Sequence, residues 1–174
     1  AGTSVLNFIG ANGTEVTGKI GNGNTLTAIN LGLAANNNAN VLATLKGAVI
    51  KATTITLSAN SVVGGGNHSS TLVLDSSVGA QVLTGAIDST AVANAGTSVL
   101  NFVGANGTTV TGNIGAANAL TLVQLNGNAP GNVVTFGGLL KAATLDLAGA
   151  QTKAQLDAGA LIDTLTIANA NSSV

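Results

Sequence analysis

The chain repeats itself, and this restricts its fold more than any other feature it has. Residues 1–13 return as residues 95–107 with a single change, Ile9 becoming Val103. The match continues from residues 16–21 to 110–115 and from 26–31 to 120–125, all at a spacing of 94 residues. Residues 51–57 then match 141–147 at a spacing of 90. The four lost residues fall around Asn36, Asn37 and Asn38, a stretch that reads as loop. An indel in a surface turn costs little when the regular elements stay in place.

A shorter beat runs inside the long one. Segments of alternating polarity end at Phe8, Leu31, Leu57, Leu74, Phe102, Leu125, Leu147 and Ile167, a mean interval of about 23 residues. Such a period is typical of solenoids. A second series sets a glycine ahead of an apolar residue at Gly18, Gly47, Gly64, Gly85, Gly112, Gly138 and Gly159. Gly64 is its weak member, since Gly64-Gly65-Gly66 leads into polar Asn67 and His68 and reads as a loop or indentation.

The alternating segments are 5–8, 25–31, 53–57, 70–74, 98–102, 119–125, 144–147 and 163–167. Period-two patterning with β-branched residues marks a strand with one buried face. Ile55 and Leu57 are expected to point inward, and Thr54 and Thr56 outward. Asn-Gly steps near residues 12, 22 and 106 supply turns in which positive backbone φ is cheap. A hairpin meander and a solenoid can both use such strands, and Asn-Gly is also a good hairpin signal. The near-identical segments favour stacking of like on like, which would set Asn7 beside Asn30 and Leu6 beside its counterpart.

The expected fold is therefore all-β: a parallel β-helix, or β-solenoid, of about 23 residues per coil and roughly 7–8 coils. It forms one segment over residues 1–174, with long repeats 1–94 and a truncated 95–174. At a strand spacing of roughly 4.8 Å the rod would be on the order of 40 Å long. Dense Gly and Asn disfavour helix; residues 150–161 are the one stretch with some helical character.

Composition agrees with a slim stacked interior. Hydrophobic residues make up 45% of the chain, yet the aromatics are only Phe8, Phe102 and Phe136. Small branched side chains can fill a narrow core of repeated layers, whereas a globular core mixes large and small. The 24 glycines lack the every-third-residue spacing of collagen. Charged residues are 6% of the chain and the formal net charge is −1, which leaves no basic footprint for nucleic acid or an anionic membrane surface. With no cysteine there are no disulfides, thiolate metal sites or thiol nucleophiles. Gly, Asn and Thr interrupt every apolar run, so no membrane helix is expected. The start lacks both an initiator Met and a leader pattern, as in a mature or excised piece.

Chemistry-bearing residues are sparse, and no catalytic, cofactor-binding or metal site is expected. His68 is the only histidine and reads as surface decoration. Glycoside hydrolysis requires two carboxyls about 5–9 Å apart, and Asp146 with Asp163 is the nearest candidate pair. Their alternation need not align them, Lys141 and Lys153 could neutralise them, and no Arg, Tyr or Trp is present to clamp a sugar. Calcium calls for several carboxylates and the GGxGxD repeat, and Gly64-Gly65-Gly66-Asn67 lacks the acid. Asn12, Asn67, Asn106 and Asn171 begin glycosylation-like triplets that chance explains in an Asn- and Thr-rich chain. The phosphate-cradling glycine motifs are absent. Paired threonines (Thr25/Thr27, Thr54/Thr56, Thr164/Thr166) suggest ice binding as an alternative, but segments 4–7 and 143–146 break the ranks. A polysaccharide-processing β-helix is the other alternative.

The phrases at residues 84–89, 99–102, 111–115 and 47–53 resemble the repeats of rickettsial outer-membrane surface antigens of the outer membrane protein A type, with the B type close behind. The likeness covers most of the chain as scattered phrases. It implies the passenger of an autotransporter on an obligate intracellular bacterium, exposed at the cell surface or secreted, immunodominant, and active in adhesion to and invasion of host cells. The membrane barrel of such proteins is not represented in these phrases, and the repeat spacing departs from the regular A-type array, which implies a passenger region outside it. The partners so implied are a host-cell surface protein and, at the solenoid ends, neighbouring passenger segments or a second copy. No family binding residue maps onto a numbered position.

Overall fold

The computed structural model describes residues 3–10, 13–32, 40–58, 61–62, 66–90, 96–127, 129–130 and 132–174. In chain order the strands are β1 (Val5–Phe8), β2 (Thr14–Val16), β3 (Leu26–Leu31), β4 (Val41–Leu45), β5 (Val49–Leu57), β6 (Ser61–Val62), β7 (Gly66–Asn67) and β8 (Ser70–Asp75). They continue with β9 (Gln81–Ser89), β10 (Ser98–Val103), β11 (Thr108–Val110), β12 (Leu120–Leu125), β13 (Val133–Phe136), β14 (Leu140–Leu147), β15 (Lys153–Leu156) and β16 (Ala160–Ile167). No helix occurs among the described residues, and residues 150–161 supply β15 and the start of β16.

Fourteen strands form two parallel seven-stranded sheets, in the orders β1-β3-β5-β9-β11-β13-β15 and β16-β14-β12-β10-β8-β4-β2. Every neighbour in them is a strand from an adjacent coil, as in a β-solenoid. Among the described residues the one antiparallel pair is β6 with β7, and Gly64 lies outside those residues. The expected stacking is met at the first step. Asn7 lies beside Asn30 and Leu6 beside Ile29, and the Asn30 Nδ2 donates to Asn7 Oδ1 at 2.8 Å.

The register resolves each coil into three walls. Wall one runs from β1 through β3 and the second halves of β5 and β9 to Ile114, then to the first halves of β14 and β16. Wall two stacks β2, β4, β8, β10 and β12 and the second halves of β14 and β16. Wall three stacks Ile20, the first halves of β5 and β9, then β11, β13 and β15. Strand β9 turns a corner in mid-strand, and this carries the first sheet from wall one to wall three. Gly85 makes that corner with a φ of 136°, and a Cβ there would collide with the Ala52 carbonyl oxygen. Gly112 lies against Gly85, and Gly138 against Gly112, in the same close manner. From Gly85 to Gly138 the glycine beat is thus a column of corner positions where coils approach too closely for a side chain, whereas Gly18 and Gly159 leave room for one.

Ladder steps are not uniform. They range from 20 residues, between Asp146 and Thr166, to 33, between Val49 and Val82. The interval from Leu57 to Leu74 is a step between walls, since those residues belong to different sheets. The long repeat also changes wall. Phe8 lies on wall one beside Leu31, whereas its copy Phe102 lies on wall two between Leu74 and Leu125. Val16 on wall two and Ile20 on wall three reappear as Val110 on wall three and Ile114 on wall one. The two copies are therefore turned by one wall about the rod axis.

A single apolar interior runs the length of the rod, joining Phe8, Phe102 and Phe136 through aliphatic columns such as Leu45, Leu74, Leu125 and Leu147. Phe102 and Phe136 meet edge to face, with ring centroids 5.6 Å apart. Ile55 and Leu57 point inward with no exposed surface, while Thr54 and Thr56 face outward. Burying each such aliphatic side chain contributes roughly 1.5–3 kcal/mol. Two buried polar side chains are tied to backbone: Ser70 Oγ donates to Ser58 O at 2.7 Å, and Gln81 Nε2 to Leu45 O at 2.7 Å.

Candidate functional site: the outer face of wall two

Alternation aims every second residue of a strand outward, and parallel register then lines those residues up from coil to coil. On wall two this produces two straight columns. One runs Leu42, Thr71, Val99, Leu122, Thr144, Thr164. The other runs Glu15, Thr44, Val73, Asn101, Gln124, Asp146, with Thr166 closing it. Leu42, Val73, Val99 and Leu122 form an apolar middle, with Leu42 41% exposed. Beside it lies a chain of amides: Asn126 Nδ2 donates to Asn101 Oδ1 at 3.0 Å and to Gln124 Oε1 at 2.8 Å, and Gln124 Nε2 donates to Asp146 Oδ2 at 2.9 Å. An open cleft of about 510 Å³ borders this edge, lined by Ser77, Val103, Gly104, Ala105, Asn126 and Ala129. The combination of an apolar patch, ordered amides and an adjoining cleft can take up a protein surface by shape and hydrogen bonding.

At the other end of wall two, Lys46 bridges three coils. Its Nζ lies 2.8 Å from Glu15 Oε2 and 3.7 Å from Asp75 Oδ2. The hydrogen bond to Glu15, chiefly, raises the Lys46 pKa above its ordinary 10.5; partial loss of hydration opposes this, and the charges of Glu15 and Asp75 add to it. A folded pKa above the unfolded one means the tie stabilises fully below the unfolded value and is lost as pH rises through the folded one. Melting temperatures of the wild type and Lys46→Met should therefore differ at neutral pH and converge in strong alkali. A gap that persists there would assign the effect to packing of the lysine stem. The average 23-residue beat concealed this triad, because its coils are longer: Glu15 to Thr44 and Thr44 to Val73 are the ladder steps.

The residues weighed for catalysis do not converge. Asp146 accepts from Gln124 and has Thr166, not Asp163, beside it in the ladder. Lys141 pairs in register with Leu161, and Lys153 with Val133. Among the described residues both ion pairs are those of Lys46, and no three His, Cys, Asp or Glu side chains cluster as metal ligands. His68 is half-buried, and its backbone packs against Gly96. The threonine ranks are short. Thr54 sits between Ala28 and Ala86, and Thr56 between Asn30 and Asp88. Thr109 stacks on Thr135, and Thr144 on Thr164, with Val82 and Leu122 interrupting. Asn106 uses its amide to hold Ser76 O at 2.6 Å. Asn12 and the Asn36–Asn38 stretch lie outside the described residues.

Comparison with known proteins gives this surface its setting. An outer membrane protein A of Rickettsia rickettsii is 41% identical over 143 residues, 82% of this chain and 5% of its own length. A second outer membrane protein A, from Rickettsia conorii, is 42% identical over 125 residues, 71% of this chain and again 5% of its own length. The chain is homologous to a segment of rickettsial outer membrane protein A. That kinship agrees with the resemblance carried by the repeated phrases and places the chain at the outer membrane or cell surface. The chain spans only a small fraction of these outer membrane protein A relatives. No family model and no solved structure matches it. No helix among the described residues is long and apolar enough to cross a membrane.

Proposed function

We propose that the chain is a non-catalytic stretch of the exposed passenger of an autotransporter surface antigen, a rod that both extends the molecule and offers its walls to host-cell protein. The observation that carries this reading is wall two, a face six to seven strands tall whose outward residues line up from coil to coil and set the apolar Leu42, Val73, Val99 and Leu122 beside the amides of Asn101 and Gln124. Such a face suits many weak contacts summed along a rod or over many copies. Kinship to far longer outer membrane proteins supports the placement in a passenger.

Neighbouring passenger coils are the partners proposed for the ends. Leu165 and Ile167 are 51% and 47% exposed in β16, yet they continue columns in which Leu145 and Leu147 are fully buried. A further coil would cover them as β16 covers β14.

Beads coated with the purified chain should attach to cultured host cells several-fold better than beads carrying an unrelated β-rod. Leu122→Lys, which sets a charge in the middle of wall two, should remove most of that difference. Attachment equal to the control would remove the adhesive role and leave the spacer. Reproducible cleavage of any member of a polysaccharide panel would overturn the non-catalytic reading.

A further inference from the structure

Four Asn-Gly steps occur in the sequence, at Asn12, Asn22, Asn106 and Asn126. In such a step the glycine offers no side chain to hinder attack of its backbone nitrogen on the preceding amide. Local chemistry is the same for all four, so the fold decides which of them reacts.

The structure separates the three that it describes. Asn106 spends its amide on the carbonyls of Ser76 and Ser77, at 2.6 and 3.3 Å, and Gly107 is buried. Asn126 is held by Asn101 and Gln124, and Gly127 is buried between Gly104 and Gly149 of the adjacent coils. Asn22 differs in its unheld amide and in the exposure of the glycine that follows it. Residues 21–24 form the bend between Ile20 on wall three and β3 on wall one, and Asn22 and Gly23 are both exposed. No hydrogen bond holds either residue among the described ones, and a Cβ on Gly23 would meet nothing within 4 Å.

We propose that Asn22 is a site of spontaneous covalent modification, at which the exposed Asn22-Gly23 turn gains an aspartyl or isoaspartyl residue. The Gly23 backbone nitrogen attacks Asn22 Cγ and forms a new C–N bond, giving a five-membered cyclic imide. The bond from Cγ to the side-chain nitrogen breaks, and that nitrogen leaves as ammonia with the proton given up by the Gly23 amide. Water then adds to one of the two imide carbonyls. Opening on one side gives aspartate; opening on the other gives isoaspartate, with the main chain rerouted through the side-chain methylene. Nothing is oxidised or reduced, and water is the only co-reactant. The product adds a negative charge to a chain of formal net charge −1, in a turn whose Gly21 packs against Lys51.

The test incubates the full folded chain at mildly alkaline pH and follows residues 22, 106 and 126 by peptide mass spectrometry, with enzymatic methylation to count isoaspartate. Conversion at Asn22 should run on the order of tenfold faster than at Asn106 or Asn126, since each of those must first break two hydrogen bonds. Gly23→Ala, which the open space accommodates, should suppress conversion at Asn22 without altering the melt. In denaturant the three rates should converge. Folded-state conversion at Asn22 no faster than at Asn106 and Asn126 would overturn the assignment, as would a difference that survives denaturation.

Discussion

Phe102→Ala should lower the unfolding free energy by about 3–5 kcal/mol, the usual loss for a large aromatic cut from a sealed core. Phe102 is 1% exposed, sits between Leu74 and Leu125 in the ladder, and meets Phe136 edge to face. In a stacked array each coil is stabilised only by its neighbours, so a cavity in the middle uncouples the coils on either side. Urea unfolding followed by circular dichroism should therefore lose its single sharp transition as well as shift to lower denaturant. Phe8→Ala is the internal comparison. Phe8 stands in the same sequence context, but its strand pairs with a neighbour on one side alone, β3. Its loss should be distinctly smaller and leave one transition. Equal losses at the two phenylalanines would argue against a coupled interior running through the coils.

Gly85→Ala tests the corner column and should cost about 3 kcal/mol or more, combining a strained backbone with a main-chain collision. The φ of 136° is one that side-chain-bearing residues seldom adopt, and the added Cβ would strike the Ala52 carbonyl. Relief requires parting the coils that β5 and β9 join. Gly18→Ala is the matched control, since a Cβ there meets nothing within 4 Å; it should stay within about 0.5 kcal/mol of the wild type. Thermal melts of the two variants decide the matter. A Gly85→Ala protein as stable as Gly18→Ala would show that the corner can open without loss and would remove the reason for the glycine beat.

Much of the fold was legible because its signals are local. Alternation at Ile55 and Leu57 set an inward face, and similarly patterned neighbours such as the strands of Asn7 and Asn30 indicated stacking rather than hairpins. The glycine series was visible as a rhythm, though its role as a column of corners appears only when Gly85, Gly112 and Gly138 lie against one another. The candidate surface was less legible. Which residues share a column depends on coil length, and the longer coils of the first half were hidden by an average. Hence the bridge from Lys46 to Glu15 and Asp75, and the amide chain through Asn126, were not foreseen.

The amino-acid sequence alone determined that this chain is made of short one-faced strands that stack parallel around an aliphatic interior, because period, polarity and self-similarity each act within a strand or between like strands. Only the tertiary structure decided on which wall each strand lies. A turn can lengthen, or a strand bend at a glycine, without altering local alternation, and those small geometric changes add up around the coil. They turn the second long repeat by one wall relative to the first, so that Phe8 and Phe102, identical in their immediate sequence, face the interior from different sides.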